Sequence, residues 1–121
     1  MFRRRSRRPG SRIIARVRGS SSTVIVFDRG ERRGFRFAED RGLVQGQMHR
    51  ERPLEFYSEY LDGHIAAAIC HPAPRRALWL GRGIGAVPRL LMSTHPQIRI
   101  DCVEANDAVI EAAFAYFDLP R

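Results

Sequence analysis

The chain has 121 residues, of which 44% are hydrophobic and 28% charged, values that suit one globular domain. Its longest apolar stretch, 65–70, falls far short of the roughly 18 residues that span a bilayer, and Ile13-Ile14-Ala15 after the Arg-rich start is too short for the apolar core of a secretion signal. The net charge of +8 looks like a nucleic-acid signature until it is located: eight arginines, at 3, 4, 5, 7, 8, 12, 16 and 18, precede the first acid, and the rest of the chain holds 13 arginines against 13 acids.

Residues 1–11 read first as a solvated, disordered basic leader. An arm for nucleic acid or an anionic surface and an organelle transit peptide are the alternatives. Beyond Phe2 no aromatic residue is interleaved with these arginines, which weakens a single-strand-binding reading. A small antiparallel β-domain is expected over 12–50. Its strands would be 12–18, the β-branched run Thr23–Phe27, a return at Gly34–Ala38 after the turn Asp28-Arg29-Gly30, and Leu43–Gln45. Residues 51–74 read as a helix and linker. Pro53 fits a first helical turn, Leu54, Tyr57, Leu61, Ile65, Ala68 and Ile69 recur at helical spacing, and His71-Pro72-Ala73-Pro74 stops the pattern.

From residue 75 to 121 the pattern changes. Arg76–Leu80 is a short apolar run, as expected of a strand buried on both faces of a parallel sheet. Gly81-Arg82-Gly83-Ile84-Gly85 follows, then a helix over 86–94 with Pro88 in its first turn. Ile98–Glu104 reads as a second strand, with Cys102 buried in it. Asn106 caps a second helix that runs to about Phe117, with Asp107 in its first turn and Leu119-Pro120 after its end. The predicted fold class is α/β: a partial Rossmann-like sheet of the class I methyltransferase type, preceded by the small antiparallel β-domain.

The glycine loop and Glu104 carry the chemistry. A chain turning sharply from strand to helix beside a ligand needs Gly81, Gly83 and Gly85, because a Cβ would occupy that space. A carboxylate at 104, ending the next strand, can accept from both hydroxyls of a ribose. The spacing fits an S-adenosylmethionine transferase, and Gly81-x-Gly83-x-x-Ala86 also satisfies a relaxed dinucleotide pattern, so a dinucleotide oxidoreductase stays open. Cys70, Cys102 and the four histidines show no metal-ligand spacing, and no metal is expected. Asp101 and Asp107 read as strand-end and helix-start charges.

The stretches PLEFYSEYLDGHIAAAI, RRALWLGRGIGAVPRLL and IRIDCVEANDAVIEAAFAYFDLP resemble the spermidine synthase family over about residues 23–121. The resemblance implies that Glu104 and Gln45 (Gln47 its rival) contact S-adenosylmethionine or its decarboxylated form. It also implies that Tyr60 (Tyr57 its rival) lies near a small-molecule amine. The activity implied is aminopropyl transfer. Apart from the resemblance, the two widely spaced cysteines are consistent with the reducing cytoplasm, and the short apolar stretches with no membrane. The charge balance after residue 18 speaks against nucleic acid as a partner.

Two features depart from the family pattern. Ile84 stands where the family carries an aspartate, and its bulk is expected to crowd the site. The family's catalytic base would fall beyond residue 121, so no residue is nominated as catalytic and these 121 residues are expected to be inactive alone. A methyltransferase with another acceptor and a non-catalytic half-fold interaction module are the alternatives. An open sheet edge would favour homo-oligomers.

Overall fold

The computed structural model describes residues 10–40, 42–55, 70–71 and 73–119. Four strands form one antiparallel sheet in the order β1 (Ser11–Arg18), β2 (Thr23–Arg29), β3 (Arg32–Phe37) and β4 (Gly46–His49). A separate parallel pair joins β5 (Arg76–Leu80) to β6 (Arg99–Val103). Helix α1 (Ala86–Thr94) connects these two strands, and α2 (Asp107–Tyr116) follows β6. The molecule is thus α/β, with its antiparallel strands first and its parallel pair second.

Alternation sets the register of the first sheet. In β2, Val24 and Val26 are fully buried and face the helices. They stand opposite Val17 and Ala15 of β1 and opposite Phe37 and Phe35 of β3. A bulge between Ile13 and Ala15 shifts the pairing of β1 by one residue. Gly30, at φ 60°, opens the tight turn between β2 and β3, a conformation that other residues adopt only under strain. The fourth strand forms at Gly46–His49, later than the expected Leu43–Gln45. Met48 supplies the buried side chain there, and Leu43 is left exposed. Gly46 suits this place because a Cβ on it would come within 3.3 Å of Phe35.

One hydrophobic core serves both parts of the chain. Val24, Val26, Phe35 and Met48 from the first sheet pack with Ile84 and Ala86, and with Ala108, Val109 and Ala112 of α2. Alanines at i and i+4 give α2 a thin face, so the helix lies close to the sheet. Burying each valine or phenylalanine contributes about 1.5–3 kcal/mol. Asp28 faces the same interior. It accepts from Arg33 Nε at 2.8 Å and Nη2 at 3.1 Å, and the same guanidinium donates to the Tyr116 carbonyl, at the end of α2.

The parallel pair has the expected direction and lacks the expected burial. Leu78 is 64% exposed, Leu80 71% and Val103 54%. Cys102, expected inside, is exposed as well. The reason is that β5 and β6 pair only with each other, so among the described residues neither strand is flanked on both sides. The helix expected over 54–69 lies outside the described residues except at its start, where Pro53 and Leu54 form a turn.

Candidate functional site

The loop from β5 to α1 begins where the parallel ladder ends. The Gly81 N–H donates to the Val103 carbonyl at 2.8 Å, which locks the loop to the end of β6. Three left-handed glycines then turn the chain: Gly81 at φ 79°, Gly83 at 53° and Gly85 at 73°. They serve different ends. A Cβ on Gly81 or Gly83 would meet no atom of the described residues within 4 Å, so among these the loop is open on that side. A Cβ on Gly85 would collide with Leu119, so this glycine is needed for packing at the start of α1.

Glu104 closes onto the loop. Its Oε2 accepts the Gly83 N–H at 3.1 Å, and its Oε1 accepts the Asn106 N–H at 3.1 Å. An ionised carboxylate has about four acceptor positions, so two backbone bonds orient it and, among the described residues, leave others unused. Asn106 in turn caps α2 through bonds from Ala108 N and Val109 N, and donates to Ser22 Oγ at 2.6 Å. Ser20 N–H donates to both oxygens of Asp107, which holds that carboxyl below the usual carboxylate range. The β1–β2 turn is therefore fastened to the start of the helix that follows the acid.

No family model matches the chain. Over 109 residues, 88% of its length, it is 28% identical to the polyamine aminopropyltransferase of Vibrio vulnificus (strain CMCP6), of which it covers 36%. Its fold superposes on a probable spermidine synthase from Corynebacterium glutamicum with a TM-score of 0.73 at 20% identity, covering 91% of this chain and 42% of that one. With the spermidine synthase from Thermotoga maritima the TM-score is 0.64 at 20% identity, covering 87% and 34%. The chain is thus similar to these proteins in sequence and in fold. It spans little more than a third of the curated relative.

Of the residues nominated from the sequence, the fold brings Gly81, Gly83, Gly85 and Glu104 together. Gln45 is exposed, and Gln47 lies in β4. They flank Gly46, whose missing side chain lets the backbone approach Ile84: a Cβ there would stand 3.4 Å from Ile84 Cγ1. The glutamine segment thus abuts the glycine loop. Tyr60 and Tyr57 lie outside the described residues. Ile84 does not crowd the open side of the loop. It is 5% exposed and belongs to the core, where it clamps the loop to the first sheet.

Two arginines escaped the sequence reading. Arg82 folds back over the Phe114 ring at 4.2 Å, and its Nε and Nη2 are buried without a hydrogen-bond partner among the described residues. Arg89, in α1, donates to the carbonyls of Phe117 and Pro53 and so ties three segments together. Burial pushes its pKa down, opposed by Asp118. Linear spacing held no signal for either, because the direction of a guanidinium is set by tertiary packing. Among the described residues no group of three or more His, Cys, Asp or Glu could hold a metal ion. No helix among them is long and apolar enough to cross a membrane.

Proposed function

We propose that residues 75–119 begin a Rossmann-like nucleoside-binding unit that holds S-adenosylmethionine or its decarboxylated form. In the whole protein this unit would serve aminopropyl transfer to an amine. The observation that carries the reading is the 3.1 Å bond from Gly83 N–H to Glu104. Loop and acid meet at the ends of parallel strands, the place where open α/β sheets bind ligands. The open side of Gly81 and Gly83 gives the ligand's backbone contact, and the unused acceptor positions of Glu104 take the ribose hydroxyls. Gln45 would add a polar contact from the neighbouring segment. When bound, the sulfonium ligand supplies the activated carbon, and the protein's part is to fix its orientation. The free thiols of Cys70 and Cys102 suit action in the cytoplasm.

Isothermal titration tests this. Decarboxylated S-adenosylmethionine, the intact compound and the neutral 5′-methylthioadenosine should each bind, and Glu104→Gln should weaken all three about tenfold, roughly 1.4 kcal/mol. Preference for the decarboxylated form supports aminopropyl chemistry, and preference for the intact form supports methyl transfer. Full affinity in the Glu104→Gln variant would remove the ribose contact and the reading with it.

A further inference from the structure

We propose that the outer face of the four-stranded sheet binds the phosphate backbone of a nucleic-acid duplex. Counting along the chain assigns the excess charge to a leader, but alternation within the strands sorts it differently. Val24 and Val26 point into the core, so Ile25, Phe27 and Arg29 face outward. Arg16 and Arg36 stand opposite Ile25 on either side, and Arg18 stands opposite Thr23. With strands about 4.8 Å apart, the backbones carrying Arg16 and Arg36 are about 10 Å apart. No outward position of β1, β2 or β3 carries an acid.

Four of the acids are engaged elsewhere, and the acids nearest the face, Glu39 and Asp40, follow the end of β3. Asp28 turns inward to Arg33 and Arg50, Asp101 faces Arg76 and Arg99, and Glu104 and Asp107 serve the loop and the helix start. Among the described residues, Arg16, Arg18, Arg29 and Arg36 make no ion pair. Three of them, Arg16, Arg29 and Arg36, line a concavity of about 530 Å³. Its floor is Ile25, and Arg29 stacks over Phe27 at 5.5 Å. Arg36 Nη1 donates to the Phe37 carbonyl at 3.3 Å. Guanidinium groups that line one hollow without a carboxylate partner suit a phosphodiester chain, whose oxygens match the fork of arginine.

The details favour nucleic acid over a bilayer. On this face Ile25 and Phe27 are 2% and 3% exposed, and Ile13, opposite Phe27, is the one large apolar side chain that the three strands expose, at 46%, far less than a face that inserts among lipid tails presents. They also favour a duplex backbone over stacked single-strand bases, because the aromatic ring on this face is covered.

Fluorescence anisotropy on the full chain, with labelled DNA and RNA duplexes of about 16 base pairs between about 50 and 200 mM salt, reads the proposal. The variant Arg16→Gln, Arg29→Gln, Arg36→Gln should bind at least tenfold more weakly, and the slope of log K against log salt should flatten by about 2.7 units on DNA. Lysine at the same three positions should retain binding. Glutamine at Arg3, Arg4, Arg5, Arg7 and Arg8 should leave the sheet's share of the slope in place. Tighter binding of one duplex names RNA or DNA as the ligand. If the triple variant does not keep the circular dichroism of the wild type, Arg29→Gln alone should flatten the slope by about 0.9. Wild-type binding by the glutamine variants, complete loss on changing the leader alone, or capture by phosphatidylserine vesicles without duplex binding would each overturn the proposal.

Discussion

The two sheets of this chain differ in what holds them. The antiparallel sheet buries Val24, Val26, Phe35 and Met48 against α2 and the loop, whereas the parallel pair leaves Leu78, Leu80 and Val103 in solvent. The candidate site lies between these regimes. Its inner side, Ile84 to Val87, is set in the shared core, and its outer side, Gly81 and Gly83, opens away from it. Packing and open surface thus fall to different residues of a single loop, so packing fixes the bend without filling the space beside Gly81 and Gly83.

The sharpest way to break this comparison is to cut one side chain from each region. Phe117, fully buried and edge-on to Phe35, should cost about 3–5 kcal/mol when changed to alanine. Leu80→Ala should stay within about 0.5 kcal/mol. Urea unfolding measures both, and an equal loss for Leu80→Ala would mean that a second copy covers the parallel pair in solution.

Next in size is Asp28→Asn, which should cost about 2 kcal/mol by leaving Arg33 without its carboxylate. The bond from Arg33 holds the Asp28 carboxyl below its ordinary value. A lowered folded pKa means stabilisation that is fully present above the unfolded value of 3.8 and lost as pH falls through the folded one. The gap between wild type and variant should therefore be flat from neutral pH to about 5 and close below about 4. A gap that widens in acid would show that the pair is not a folded-state feature.

The smallest effect sharpens the site. Gly81→Ala should lose about 1–2 kcal/mol, because the left-handed backbone strains any Cβ although nothing stands near it. The same methyl should weaken nucleoside binding in titration. Unchanged affinity would place the ligand's path elsewhere.

The order strand, glycine loop, helix, strand, acid, helix was legible because each part has a local signal: an apolar run, left-handed glycines, and Asn106 as a cap. The meeting of loop and Glu104 followed from that order. Burial of the parallel pair was not legible, since an apolar run announces a strand without saying what covers it. Leu43-Val44 drew the fourth strand too early because the value of Gly46 lies in a side chain it lacks. Arg16 and Arg18 were counted with the leader because a linear charge count ignores the two-residue alternation of β1.

The fastening of Ser20 and Ser22 to Asp107 and Asn106 has a consequence for how the protein is made. The partners are 87 and 84 residues apart, and loop closure over such a span is entropically costly and slow. While the chain emerges from the ribosome, the N-terminal hairpin must wait, its corner undocked, until the residues after Glu104 have been synthesised. Only then can the hairpin corner dock, beside the carboxylate that accepts from Gly83 and Asn106.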